Sequence, residues 1–163
     1  MPDDLYEQDI LAWSDHQAGL LRKVARGQRV YDVDWAHVVE EIEDVGLSEL
    51  NAVQIQLRQM IVHLLKVHGW PDHPSVQHWR EEIAAFQAEA AQRFAPSMRQ
   101  RIDLERLNAR ALKQLKVADY GRPPPAWPTD WLPTVDQLLN DDVATLEARL
   151  TAPRQTASDE PLR

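Results

Sequence analysis

A chain of 163 residues is long enough to bury a real core in one domain, and its 44% apolar and 27% charged content is ordinary for a folded protein. The absence of cysteine excludes disulfides and thiolate chemistry, and no apolar run approaches the roughly 18–20 residues that span a membrane. The net charge of −8 argues against a nucleic-acid module, and the acidic opening MPDDLYEQD lacks the positive-then-apolar order of a signal peptide, so a cytoplasmic location is expected.

Asp3 or Asp4 can cap a first helix running to about Arg26. Its apolar positions are Tyr6, Ile10, Trp13, Leu20, Leu21 and Val24, with Gln17 completing the spacing, and Gly27 stands where a left-handed C-terminal cap belongs. The short link RGQRVYDV predicts that the next helix is its antiparallel neighbour. That next helix, capped by Asp34 and stopped by Gly69 and Pro71, is the longest periodic stretch of the chain and should run about 50 Å. Trp35, Val38, Val39, Ile42, Gly46, Leu50, Val53, Leu57, Met60, Leu64 and Val67 fall within about 60° of one line at 100° per residue, as a buried stripe requires. Gly46 costs about 1 kcal/mol against Ala in a helix interior, but the line crosses it without a phase jump, so continuity is preferred to a break at 46–48.

A Pro- and Gly-rich turn, HGWPDHPS, leads to a third helix capped by Ser75, with Val76, Trp79, Ile83, Phe86, Ala90 and Phe94 on its apolar line. Pro96 ends it, because the residue before proline avoids the helical region. Ser97 and Gln100 have the spacing of a capping box for a fourth helix, whose apolar face is Leu104, Leu107, Ala111, Leu115 and Ala118 and which Gly121 closes. The segment RPPPAWPTDWLP, with five prolines and two tryptophans, cannot be a helix interior and reads as a strap anchored by Trp127 and Trp131. Thr134 and Gln137 form a second capping box for a short fifth helix carrying Val135, Leu139, Val143, Leu146 and Leu150. The expected organisation is one domain over residues 1–150 followed by a disordered tail, 151–163. The expected fold is all-α: an antiparallel bundle of about four helices plus a short C-terminal helix, joined by the Pro/Trp strap.

Laid out in this order, the segments resemble a bacterial family known as domain of unknown function 29. The resemblance rests on Tyr6-Glu7 with Asp9 and Trp13, then Glu40-Glu41-Ile42-Glu43 with Gly46 and Ser48-Glu49, then His63-Leu64-Leu65-Lys66. It continues through Ser75, Trp79, Ile83 and Gln87 to Pro128 and Gln137-Leu138-Leu139, covering about residues 5–145. Trp131-Leu132-Pro133-Thr134 stands where the family usually has Cys-Pro-Tyr-Thr, and His73-Pro74-Ser75 where it often has basic residues. The resemblance implies a helical bundle and no particular activity.

Three groups of residues are candidates for function. Glu49, Gln56 and His63 recur every seven residues at the flank of the central apolar line, with Glu41 further round. Carboxylates and histidines so placed can bind a metal inside a bundle, yet heptad neighbours lie about 10 Å apart along the axis, too far to share one ion. A metal site over Glu41, Glu49 and His63 would therefore need donors from elsewhere, His16 and Asp15 or Glu82 and Glu89. The simpler reading is a structural hydrogen-bond network. The series His63, His68, His73 and His78 advances by five, which turns a helix by about 140° and separates neighbours. His37 and Glu41 form a better local pair, four residues apart. The third group is basic: Arg99, Arg106, Arg110, Lys113 and Lys116 lie opposite the apolar face of the fourth helix and would suit an acidic protein partner or the acidic first third of a second copy.

Charge is segregated along the chain, since residues 1–50 carry a net −8 and residues 51–118 a net +4. Gly-rich phosphate loops, H-E-x-x-H, G-x-S-x-G and cysteine nucleophiles are all missing, so no cofactor is predicted. These features favour a non-enzymatic protein-interaction or regulatory module binding itself or another protein, with neither nucleic acid nor membrane as partner. The alternative is a metal-dependent helical-bundle enzyme using the central Glu and His residues.

Overall fold

The computed structural model describes residues 2–128 and 130–152, with side chains from Leu5 onward. Every regular element among them is helical. The elements are α1 (Pro2–Gln8), α2 (Ile10–Ala25), α3 (Trp35–Gly69), α4 (Val76–Arg93), a 3₁₀ turn (Pro96–Arg101), α5 (Leu104–Leu115), α6 (Val135–Asn140) and α7 (Val143–Thr151). They fall into two compact units, Met1–Ser48 and Glu49–Arg163.

In the first unit, the helix expected as far as Arg26 is interrupted at Asp9. The Asp9 carboxylate accepts from the Ala12 N–H at 3.0 Å and so caps α2 rather than lying inside a longer helix. Gly27 has φ of +75°, the left-handed cap its position predicts. The core here is small: Trp13, Leu20, Val33 and Val38 are buried, with Tyr6, Leu21 and Val30 packed around them. Gln17 is also buried, and its Oε1 accepts the backbone N–H of Asp34 at 2.9 Å. Ile10 and Val24, expected on the buried line, are exposed.

The helix α3 is continuous through Gly46, as the unbroken periodicity predicts. Its start is set by Asp34, whose carbonyl accepts from Val38 N–H at 3.0 Å while Oδ1 faces His37 N–H at 3.4 Å. The predicted apolar line divides within it. From Leu50 to Val67 the line is buried, and it forms the spine of the second unit's core with Ile61, Leu65 and Trp70. Before Leu50 only Val38 is buried. Trp35 is 55% exposed, Val39 50% and Ile42 67%, and Gly46 has open space beside it.

Within the second unit, α4 packs against α6 and α7. Val76, Trp79, Ile83 and Ala90 of α4 and Leu107, Ala111 and Leu115 of α5 enter the core as their spacing predicts. The termini differ from expectation in four places. Ser75 precedes α4 but makes no side-chain cap. Ser97 and Gln100 lie in the 3₁₀ turn, and α5 is instead capped by Asp103, whose carboxylate accepts from Arg106 N–H at 3.0 Å. α5 ends at Leu115, and Gly121, with φ of +89°, shapes a later turn. The fifth helix is split, because Asp142 caps a separate α7 through Thr145 N–H at 2.7 Å, and Leu138 rather than Leu139 is the fully buried residue of α6. The Thr134–Gln137 capping box is present in both directions, at 3.1 and 2.9 Å.

The Pro/Trp segment straps the second unit's own core. Trp131 is buried and Trp127 half-buried against Trp70, with ring centroids 5.8 Å apart. Gly69 makes room for it, since a Cβ there would stand 2.8 Å from Trp127 Cη2. Of the expected tail, Thr151 closes α7 and residues 153–163 lie outside the described residues.

Candidate functional site

Three places combine polar chemistry with partial exposure. The first is built on the α1, α2 and α3 segments of the first unit. Asp34 stands one residue before α3, so its carboxylate reaches both the first turn of that helix and the side of α2. Its Oδ2 accepts from His37 Nδ1 at 2.6 Å and from Trp13 Nε1 at 3.2 Å. These two donors, His37 first, hold the Asp34 carboxyl below the usual carboxylate range. Because a carboxylate only accepts, His37 carries its proton on Nδ1. The Tyr6 ring stacks on His37 with centroids 3.9 Å apart, and Trp13 meets Tyr6 edge-on at 4.9 Å. Tyr6 donates its hydroxyl proton to Glu41 Oε1 at 2.7 Å, and that charged acceptor pushes the phenol up to about 12.

The cluster thus ties three successive helices together through Tyr6, Trp13, Gln17, Asp34, His37 and Glu41. Its visible effect is to orient the start of α3. It turns Glu41 and His37 inward to their partners and leaves Trp35, Val39, Ile42 and Val45 outward, the last 68% exposed. Glu40, Glu43 and Asp44 are exposed on the same stretch and meet no cation among the described residues. Of the thirteen large apolar side chains exposed among the described residues, ten precede Glu49. Five of these ten, Trp35, Val39, Ile42, Val45 and Leu47, lie on the first turns of α3, a denser grouping than the single exposed apolar residues usual on a protein surface.

The second place joins α3 to α4. His63 is buried, its Nδ1 donates to Gln59 O at 2.8 Å, and its Nε2 lies 2.8 Å from Glu82 Oε2. His78 Nε2 approaches the same oxygen at 3.6 Å. With Nδ1–H committed to a carbonyl, Nε2 is the ring nitrogen that faces Glu82. Burial pulls His63 below its ordinary range, against the opposite pull of the Gln59 carbonyl and Glu82.

The heptad row does not form a network. Glu49 pairs with Arg93 at the surface at 3.3 Å, the Gln56 Oε1 is buried with no hydrogen-bond partner among the described residues, and His63 turns to Glu82. Glu41 belongs to the Tyr6 cluster of the other unit. The metal candidates Glu41, Glu49 and His63 are therefore not brought together, and no group of three His, Asp or Glu side chains among the described residues is placed to hold an ion. Of the further donors considered, Glu82 does reach His63, while Glu89 is exposed. His68 stands apart, with its ring pulled below the usual range by burial alone. His73 stacks on Trp79, with centroids 4.9 Å apart.

The third place is the basic stripe. Arg106, Arg110, Lys113 and Lys116 are exposed on α5 or its C-terminal cap and make no ion pair among the described residues. Arg99 does not belong with them. It lies on the 3₁₀ turn, donates to Asp136 at 2.8 Å and sits over the Phe94 ring. The remaining four can attract an acidic surface but offer no buried pocket. Beside the strap, an open cleft of about 260 Å³ lined by Trp70, His73, Tyr120 and Arg122 is internally satisfied. Trp70 Nε1 donates to Arg122 O, Arg122 Nη2 to Gly69 O, and the Lys66 ammonium covers the nearby Trp79 and Tyr120 rings.

Sequence reasoning assigned Asp34 only a capping role and placed Trp35, Val39 and Ile42 in the core. A legible signal was available: the acidic residues Glu40, Glu43 and Asp44 crowd the same turns as the apolar line, where a core-facing helix of a thin unit has nothing to neutralise them.

The family model described as domain of unknown function DUF29 matches residues 5–144. A search of curated proteins gives no match. Among solved structures, the chain is similar to an α-helical protein of unknown function from Rhodospirillum rubrum, with 30% identity and a TM-score of 0.67 over 89% of this chain and 96% of that one. Among the described residues, no helix is long and apolar enough to cross a membrane.

Proposed function

Since this chain belongs to the family described as domain of unknown function DUF29, whose description assigns no chemistry, we propose from its own geometry that it is a non-enzymatic protein-interaction module of the bacterial cytoplasm. The observation that carries the reading is the outward face of α3, where Trp35, Val39, Ile42 and Val45 stand exposed in a unit whose buried apolar core, among the described residues, is Trp13, Leu20, Val33 and Val38. A unit of about 48 residues with so small a core gains stability from any partner that covers this face. The Asp34–His37–Tyr6–Glu41 cluster serves as the frame that fixes the face, and the metal-enzyme alternative draws no support from Glu41, Glu49 and His63, which belong to no ion-holding group among the described residues.

A photo-crosslinking residue placed at position 42 in the full chain tests this in cells. The reading expects discrete protein adducts at 42 that are missing from the same residue at exposed position 92 on α4. Equal labelling at both positions, or a turnover abolished by Glu41→Gln or His63→Gln, would overturn it.

A further inference from the structure

The proposed docking face has a charge that narrows what it takes. We infer that its partner is a cationic amphipathic helix from another protein, laid along residues 35–47 of α3; this rests on the interaction-module reading above. Trp35, Val39, Ile42 and Gly46 lie within about 60° of one line, and Glu43 and Glu40 follow on one flank of it. Both carboxylates are exposed and meet no cation among the described residues. At Gly46 nothing among the described residues, apart from its chain neighbours and the surrounding turns of its own helix backbone, lies within 4 Å of where a Cβ would stand, which leaves a notch for a partner side chain. An apolar groove edged by unneutralised acids is the complement of a helix with an apolar stripe and Lys or Arg beside it.

A second copy of this chain fits less well. Two α3 helices packed antiparallel about this line would bring the Glu40–Glu43 flank of one against the same flank of the other, and like charges facing each other oppose the pairing. The basic helix α5 of a second copy has the right charge but not the right surface. Its apolar residues Leu107, Ala111 and Leu115 are already buried in its own core, and its outward face offers Arg106, Arg110 and Lys113 without an apolar stripe. Phosphate-bearing partners are repelled by the same acids.

The test uses the full chain and two synthetic helical peptides with one shared leucine face, flanked by lysine in one and by glutamate in the other. Binding is measured by calorimetry and mapped by amide chemical shifts. The lysine peptide should perturb residues 35–47. Its affinity should fall at least tenfold in the double variant Glu40→Lys/Glu43→Lys and change less than threefold in Glu81→Lys/Glu89→Lys, which has the same net charge. If the glutamate peptide binds the same face as tightly, or the two double variants lose affinity alike, the cationic partner is wrong while the docking face stands. If neither peptide perturbs residues 35–47, the docking face itself is refuted. Sedimentation showing a dimer that Ile42→Asp dissociates would assign the face to a second copy and overturn the inference.

Discussion

Ile42 and Leu57 lie on one apolar line of one helix, and the fold gives them opposite circumstances. Leu57 is fully buried, whereas Ile42 is 67% exposed. Truncating a buried Leu to Ala costs about 2–5 kcal/mol, because the lost transfer energy is joined by a cavity. Fully burying an Ile is worth about 1.5–3 kcal/mol, so the covered third of Ile42 contributes about 0.5–1. Alanine returns part of that through its better helix propensity, leaving Ile42→Ala within about 0.5 kcal/mol of the parent. In urea, with a slope of about 2 kcal/mol per M, Leu57→Ala should lower the unfolding midpoint by about 1–2.5 M and Ile42→Ala by less than about 0.3 M. Circular dichroism at several protein concentrations reads both. A loss above about 1.5 kcal/mol for Ile42→Ala would refute the exposure argument. If that loss appeared only at high concentration, the cover would be a second copy.

Three further outcomes follow from individual contacts. Gly69→Ala should destabilise the second unit by about 1–3 kcal/mol and shift tryptophan emission, since its Cβ would stand 2.8 Å from Trp127; unchanged stability and emission would mean the strap does not pack there. Tyr6 should ionise near 12, and Glu41→Gln should bring it back toward 10, read by phenolate absorbance. As a raised value, its contribution to stability is complete below pH 10 and is lost as pH rises through about 12, so an alkaline limb that ignores Glu41→Gln contradicts the contact. His63 should titrate below 6.5 by NMR. As a depressed value, the stability it contributes is complete above pH 6.5 and lost as pH falls through its folded value, and His63→Asn should flatten that acid limb. A His63 midpoint at or above 6.5 would show that the Glu82 contact, rather than burial, governs the ring.

Much of the helical framework was legible because periodicity and local capping both report on the chain near each residue. Trp13 with Gln17 and Leu20, the α4 line from Val76 to Ala90, and the Thr134–Gln137 box all follow from spacing alone. The errors cluster where two local signals compete. Asp9 and Asp142 each sit inside an apolar rhythm that runs past them, yet a short acidic side chain gains more by capping the N–H groups ahead of it than by continuing a helix. Asp103 likewise replaces Ser97 as the cap of α5, because Pro96 favours a tight 3₁₀ turn first.

The candidate site was less legible for a different reason. Periodicity states that a helix has an apolar face; it does not state what covers that face. From Leu50 onward the cover is this chain's own α4 and α5 core, and the line behaves as read. Before Leu50 the same rhythm continues, yet among the described residues of α3 only Val38 is buried there, and the acids Glu40 and Glu43 on the flank of the line distinguish the two halves in the sequence. A core seam that carried these acids would have to pair each of them or leave it desolvated at a cost of several kcal/mol. Glu41 finds Tyr6, while Glu40, Glu43 and Asp44 remain in solvent, so the exposed stretch of α3 keeps its acidic charge uncompensated among the described residues.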